Sequence, residues 1–258
     1  MPVPEPVAFT IFGLDVRWYG ILIAIGIIVA TLIIYKRAPL HDLPREKVLD
    51  FGIICIPAGI IGARLYYVIF KWDSYKDDPL SIFDIRQGGL AIHGGLILSL
   101  LAVFILCRIW HYRPLNILDL AMPAIVLAQA IGRWGNYFNS EAHGGPTDLP
   151  WAVTIGGQTY HPTFLYESIW CLILFFVLIL VDNKRKFYGQ TFLLYGILYS
   201  VERFFVEWLR TDSLMIGPFR QAQVLSLTVI IVFGIAYLIL RSRATKTRKR
   251  PKHKKGFL

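Results

Sequence analysis

Long apolar segments recur along this chain and constrain its fold more than any other feature. We predict that seven of them form helices, at residues 18–35, 48–70, 89–107, 115–134, 164–182, 189–209 and 222–240. A helix needs roughly 17–25 predominantly apolar residues to cross the hydrocarbon core of a bilayer. The pattern therefore predicts an all-α integral membrane protein, a bundle of seven transmembrane helices.

The composition predicts a single membrane domain. Hydrophobic residues make up 55% of the chain and charged residues 17%, with a mean hydropathy of +0.54. A soluble domain carries about 25% charged residues, and no insert between the apolar segments is long enough to form its own core. We expect one transmembrane domain at residues 1–240, followed by a basic tail at residues 241–258.

The distribution of basic residues predicts the orientation. Lys and Arg are concentrated after the first, third and fifth segments and in the tail, whereas residues 135–163 contain none. Cytoplasmic loops carry more Lys and Arg than external loops. The N-terminus is therefore expected outside and the C-terminus in the cytoplasm.

The net charge of +10 does not indicate nucleic-acid binding, because much of it lies in the tail. A basic tail directly after a membrane helix is interpreted as an anchor on anionic lipid. No basic residue precedes Arg17, so we expect no cleaved signal peptide. Cys55, Cys107 and Cys171 lie in apolar segments without metal-ligand spacing, and we expect neither a metal nor a cofactor.

Small residues at helical spacing predict close contacts between helices. Gly59 and Ala63 form one such face in the second segment, and Ala124, Ala128 and Gly132 continue another in the fourth. Small side chains allow membrane helices to approach closely. This prediction concerns packing and implies no activity.

Three arginines lie inside predicted transmembrane segments. Insertion of each arginine into the bilayer raises the free energy by at least about 2.5–3.5 kcal/mol. A rise of ~1.5 Å per residue places Arg64, Arg133 and Arg203 about 24, 27 and 21 Å from the cytoplasmic ends of their segments. His93 and Tyr19 also lie near the predicted outer face. Guanidinium groups bind phosphate through two parallel hydrogen bonds, so the arginines together favour an anion site in the outer half of the bilayer.

Each charged residue also has a purely structural interpretation. Arg203 and Glu207 are four residues apart and could form an ion pair that only neutralises the arginine. Arg133 could extend its side chain to the lipid headgroups. Glu167, in HPTFLYES, is either functional or a partner of one of the arginines.

His93 is a candidate general base. The flanking Gly94 and Gly95 leave space beside its imidazole, which could take a proton from an incoming nucleophile. An ordinary hydrogen-bonding role is the alternative. Asn136 and Glu141 lie in GNYFNSEAHGGP, a segment rich in turn formers that alone predicts only a loop.

Six motifs are distributed along the chain from residue 17 to residue 212: RWYG at 17–20, GARLYYV at 62–68, GGLAIHGG at 88–95, GRWGNYFNSEAHGGP at 132–146, HPTFLYES at 161–168 and RFFVEWLRTD at 203–212. The third, fourth and fifth are together very specific. Through them the chain resembles the bacterial prolipoprotein diacylglyceryl transferases, which act on phosphatidylglycerol and prolipoprotein.

The resemblance implies a seven-helix enzyme of the bacterial cytoplasmic (inner) membrane, with residues 1–240 as the catalytic domain and the active site towards the outer leaflet. Such an enzyme moves the diacylglyceryl group of phosphatidylglycerol to the thiol of the lipobox cysteine in a preprolipoprotein and releases glycerol phosphate. By the same resemblance Arg133 is the headgroup ligand and Arg203 a second essential arginine. The remaining candidate site residues are His93, Tyr19, Asn136, Glu141, Tyr199 and Glu207, with Arg64 as a further candidate for substrate binding.

The chemistry of the residues agrees with such a transfer. Arginines stabilise charge that grows on a leaving phosphate, and a thiol attacks well only as thiolate. His93 is the nearest candidate base, although Glu141 could also receive the proton.

Two other classes of protein provide alternatives. A transporter of a phosphorylated anion would place the arginines in a binding site, but internal repeats and broken helices at the midplane are typical of transporters, and neither is evident. An intramembrane protease needs a Ser–His pair or two in-span aspartates. Asp119 and Asp50 both lie near inner ends, with no partner evident from the sequence.

Overall fold

The computed structural model describes residues 1–85 and 88–249. They divide into two compact units. Unit 1 contains residues 1–33 and the chain from residue 118 onward, and unit 2 contains Ile34–Ile117.

Seven α-helices dominate the described residues. They are α1 (Trp18–Arg37), α2 (Arg45–Phe70), α3 (Ile92–Ile109), α4 (Pro114–Phe138), α5 (Thr163–Asn183), α6 (Gln190–Leu209) and α7 (Gln221–Lys249). Each predicted segment overlaps one of these helices, so the helical class is confirmed. Six helices, all except α6, are long and apolar enough to cross a membrane. Glu202, Arg203 and Glu207 lower the hydropathy of α6, and the count of seven spans stays a prediction.

Three short antiparallel hairpins lie before α1, between α4 and α5, and between α6 and α7, and they were not predicted. They are β1 (Val7–Ile11) with β2 (Leu14–Arg17), β3 (Val153–Ile155) with β4 (Gln158–Tyr160), and β5 (Met215–Ile216) with β6 (Phe219–Arg220). Glycines with positive φ occupy the turns of all three, as at Gly217, where φ is 57°. Strands of two to five residues are too short to show a clear alternation of apolar and polar side chains.

The C-terminal boundary also differs from the prediction. Helix α7 continues to Lys249 rather than ending near residue 240. The first part of the predicted tail is therefore helical, because Ala, Lys and Arg are good helix formers. Residues 250–258 of the predicted tail lie outside the described residues.

Within unit 2, α2 and α3 approach closely through glycines. A side chain at Gly62 or Gly94 would overlap the backbone of the other residue, and Gly59 lies against Ser99. Gly95 in turn approaches Ala63. The close packing that the small residues of α2 predicted is thus confirmed.

Within unit 1, Asp119 of α4 fixes where α6 begins. Its completely buried carboxylate accepts hydrogen bonds from the backbone nitrogens of Gly189 at 2.6 Å and Phe192 at 2.9 Å. Nη1 of Arg185 lies 3.8 Å from the same carboxylate. Because the first N–H groups of a helix have no partner within it, this carboxylate satisfies the start of α6. Asp119 therefore has a structural role, which removes the main support for a protease.

Candidate active site

Two arginines and two glutamates from three helices of unit 1 form a continuous set of ion pairs, here called the arginine–carboxylate network: Arg133 of α4, Glu167 of α5, and Arg203 and Glu207 of α6. Glu167 is completely buried. Its Oε2 lies 3.2 Å from Nη1 of Arg133, and its Oε1 accepts a hydrogen bond of 3.0 Å from Nη1 of Arg203. One carboxylate thus joins arginines from two helices.

The ion pair that the spacing of Arg203 and Glu207 predicted is present. Nη2 of Arg203 lies 2.8 Å from Oε2 of Glu207, one turn further along α6. Glu207 is buried, and Arg220 donates a hydrogen bond to its backbone carbonyl. The side chains of Arg133 and Arg203 keep 21% and 23% of their surface exposed, so neither arginine is completely enclosed, unlike Glu167.

Two hydrogen bonds beside the network link α4 to α6 at successive turns. Nη2 of Arg133 donates to the hydroxyl of Tyr199 at 2.7 Å. Four residues earlier on each helix, Gln129 donates to the hydroxyl of Tyr195 at 2.8 Å. The two tyrosine rings stack with centroids 5.7 Å apart. Tyr199 therefore holds the guanidinium of Arg133 in a fixed orientation.

Glu202 is a further buried carboxyl that the sequence did not single out. It precedes Arg203 and keeps only 7% of its surface exposed. Neither of its oxygens has a hydrogen-bond partner among the described residues. It lies close enough to Glu167 and Arg133 to interact with them electrostatically. Residues three apart on a helix are neighbours on its surface, so its spacing from Tyr199 could have indicated that Glu202 lies near the site.

Tyr19 at the start of α1 packs against Gly135 of α4. A Cβ atom at Gly135 would overlap the Tyr19 ring, so the contact requires glycine. The neighbouring rings of Trp18 and Phe138 stack with centroids 5.2 Å apart. Tyr19 also interacts electrostatically with Glu141 and with Arg133. The end of α4 and the start of α1 therefore bring these predicted site residues together.

The segment after α4 turns back on the end of that helix. Ser140 and Ala142 have positive φ values of 55° and 56°, a conformation that costs non-glycine residues about 1–3 kcal/mol each. As a result the backbone nitrogen of Glu141 donates to the carbonyl of Asn136 at 3.0 Å, and Asn139 donates to the Glu141 carboxylate at 3.3 Å. The predicted candidates Asn136 and Glu141 thus lie together where α4 ends.

Arg64, in unit 2, is engaged by backbone carbonyls. Its Nε donates to Ile82 at 2.7 Å, its Nη1 to Gly88 and Gly89 at 3.0 and 3.1 Å, and its Nη2 to Ser81 and Asp84 at 2.8 and 2.9 Å. A guanidinium has five N–H donors, and these contacts use all of them. The geometry gives Arg64 a structural role, because it holds these backbone carbonyls together, and its contact with substrate stays a prediction.

His93 is the second residue of α3 and belongs to the same unit. The residue is exposed, and the centroid of its ring lies 6.1 Å from that of Tyr66. The next residue, Gly94, is buried against α2, as described above. The tight glycine contact fixes the first turn of α3 and so the backbone that carries His93.

Comparisons with known proteins agree with these features. The family model described as prolipoprotein diacylglyceryl transferase matches residues 6–240. A phosphatidylglycerol–prolipoprotein diacylglyceryl transferase of Clostridioides difficile is 51% identical over 93% of this chain and 96% of its own length. Proteins of the same name from Finegoldia magna and Clostridium novyi are 47% and 51% identical, over 94% and 91% of this chain and 98% and 95% of their own lengths. A match of this extent includes both units and every predicted site residue, and this chain therefore belongs to the prolipoprotein diacylglyceryl transferase family.

Proposed function

We infer that this chain transfers the diacylglyceryl group of phosphatidylglycerol to prolipoprotein, the reaction for which its relatives are named. The observation that carries this conclusion is the family match over nearly the whole chain. The buried arginine–carboxylate network fits a donor whose headgroup carries a phosphate. A transporter of phosphorylated anions, the alternative, is not favoured by this family membership.

The reaction that we propose is a displacement at a glycerol carbon. The sulfur of the lipobox cysteine forms a bond to the carbon of the diacylglyceryl group, and the bond from that carbon to the phosphate oxygen breaks. Glycerol phosphate leaves with the electron pair of that bond, and the thiol proton passes to a base. The products are a thioether-linked prolipoprotein and glycerol phosphate.

The residues of unit 1 are assigned to the phosphate in this proposal. Arg133 and Arg203 bind the phosphate and stabilise the charge that grows on it as the bond breaks. Tyr199 orients Arg133 through the 2.7 Å hydrogen bond. Tyr19, Asn136, Glu141 and Glu207 complete the site around the headgroup.

We also propose that α6 is a seventh span and that the site faces the outer leaflet. Both α5 and α7 are apolar enough to cross a membrane. Basic residues follow the end of α5 and occupy the last turns of α7. If these basic ends lie in the cytoplasm, α5 ends inside and α7 begins outside. The chain between them must then cross the membrane, and α6 is the helix that connects them.

A direct assay tests the proposed function. Purified full-length protein is mixed with phosphatidylglycerol and a lipobox peptide, and the mass of the peptide is measured. We expect a gain equal to one diacylglyceryl group, and no gain for the same peptide with serine in place of cysteine. An unchanged cysteine peptide, with the protein folded and lipid present, would contradict the assignment.

The role of His93 as the base is tested by the pH dependence of His93→Gln. A free thiol has a pKa near 8.5, so only a few per cent is thiolate at neutral pH. Glutamine cannot take the proton, and we expect the variant to be slow at pH 7 and to recover part of its rate towards pH 9. Initial rates of both enzymes are measured with saturating lipid. Parallel profiles would leave His93 as a positioning or packing residue.

The contact between Tyr19 and Gly135 gives a second prediction. Gly135→Ala places a methyl group where the Tyr19 ring lies, so we expect transfer to fall by about tenfold or more as the ring is displaced. Gly132→Ala is the matched control, because it lies three residues earlier on α4 and a Cβ there meets no atom within 4 Å. Equal rates for the two variants would show that the position of Tyr19 does not matter.

A further inference from the structure

We propose that Glu167 occupies the position of the donor phosphate in the resting enzyme and that the phosphate displaces it from the two arginines. The proposal rests on the function proposed above and concerns a residue whose role the sequence left open. Glu167 acts through Arg133 and Arg203 and is therefore a positioning residue. It determines how tightly the arginines bind phosphate.

The first observation is the geometry of Glu167. Its two carboxylate oxygens contact two different arginines, at 3.2 Å from Nη1 of Arg133 and 3.0 Å from Nη1 of Arg203. The two non-ester oxygens of a phosphodiester have the same charge character and a similar separation, and arginine binds both groups through the same N–H donors. A phosphate that used both arginines would compete with this carboxylate.

The second observation is the charge of the network. Its two guanidinium groups are matched by the two carboxylates of Glu167 and Glu207. The nearby side chain of Glu202 is also a carboxyl group, so it cannot make the network positive. A network without net positive charge attracts a phosphate weakly, so binding through both arginines requires that one carboxylate withdraw.

Glu167 is the carboxylate whose withdrawal releases both arginines. Glu207 pairs with Arg203 from the next turn of the same helix and moves with it. Glu167 comes from α5, a different helix from either arginine, and one rotation of its side chain would break both contacts. Displacement of Glu167 therefore makes both Arg133 and Arg203 available to phosphate, whereas displacement of Glu207 would free Arg203 alone.

The test compares wild type with Glu167→Gln. Glutamine has nearly the same shape and can still accept the hydrogen bond from Arg203, but it carries no charge that competes with phosphate. We expect the purified full-length variant to bind glycerol phosphate about tenfold more tightly, as measured by calorimetry in detergent. The KM for phosphatidylglycerol should fall as well, and kcat should fall because the phosphate product leaves more slowly.

A matched control separates this effect from a general change in charge. Asp50→Asn changes the net charge by the same amount at a partly exposed residue that pairs with Lys47, and its affinity for glycerol phosphate should equal that of wild type. Glycerol without phosphate should bind all three proteins equally. If Glu167 only braces the arginines, Glu167→Gln would bind glycerol phosphate no better than wild type or less well, and that result would overturn the proposal.

A second variant and a parallel assay of the wild-type protein allow every result to be interpreted. If Glu167→Gln does not fold, Glu167→Asp is tested in the same way, because its carboxylate is one methylene shorter and cannot hold both arginines equally well. An increase in affinity supports displacement and a decrease overturns it. Wild-type transfer of the diacylglyceryl group is measured in parallel. An inactive wild type would contradict the proposed function, whereas an active wild type with no gain in the variant contradicts only the role of Glu167.

Discussion

Replacing Arg133 with alanine is expected to lower the rate of diacylglyceryl transfer by about 10³-fold or more while the protein still folds and inserts into the membrane. The guanidinium of Arg133 is held by Tyr199 at 2.7 Å and lies 3.2 Å from Glu167. In the proposed reaction it contacts the phosphate as negative charge accumulates there. Loss of that contact raises the energy of the transition state more than that of the bound lipid. The measurement is the initial rate with phosphatidylglycerol and a lipobox peptide.

Lysine and a distant arginine provide the controls for this prediction. Arg133→Lys keeps the positive charge but cannot form two parallel hydrogen bonds, so we expect it to restore little activity. Arg108→Ala removes an exposed arginine from the end of α3 and should transfer at the wild-type rate. Near-normal transfer by Arg133→Ala, with unchanged thermal stability, would show that Arg133 does not bind the phosphate.

The helices of this protein could be predicted because the bilayer sets their length. Apolar runs such as residues 222–240 need no information about their neighbours to be identified. Helix α6 is the instructive case, since the charges that lower its hydropathy are the charges of the candidate site. The hairpins were missed because strands of two to five residues are too short to show a clear alternation of apolar and polar side chains.

Ion pairs within one helix could be predicted, whereas ion pairs between helices could not. The pair of Arg203 and Glu207 follows from a spacing of four residues. The bridge through Glu167 depends on how α4, α5 and α6 are placed, and no spacing in the sequence encodes that placement. The sequence therefore left Glu167 as a candidate with an unknown partner.

Arg64 shows that residue type and depth do not reveal which groups an arginine contacts. The sequence placed Arg64 and Arg133 at similar depths, and both were assigned to substrate. In the structure, Arg64 donates to the backbone carbonyls of Ser81, Gly88 and Gly89, whereas Arg133 contacts side chains. Backbone carbonyls are present in every segment, so no side-chain pattern could have revealed that Arg64 is already engaged.

Replacing Arg203 and Glu207 together, as Arg203→Met with Glu207→Leu, is expected to give a folded enzyme whose transfer rate is about 10²–10³-fold lower. Buried ion pairs can often be exchanged for apolar residues of similar volume without loss of stability. The exchange removes one positive and one negative charge from the network, and the ion pair between Arg133 and Glu167 remains. The fold should therefore tolerate the double change, as measured by the thermal unfolding midpoint in detergent.

The same double variant distinguishes a catalytic from a structural Arg203. If Arg203 only neutralised carboxylates, the loss of Glu207 together with the arginine would remove the need for it, and transfer would continue. If Arg203 binds the phosphate, the apolar replacement leaves one guanidinium where the proposed transition state uses two. The single variant Glu207→Leu provides the comparison, because it keeps Arg203 and its hydrogen bond of 3.0 Å to Glu167. We expect this single variant to be more active than the double variant, and equal activities near the wild-type rate would assign Arg203 a structural role.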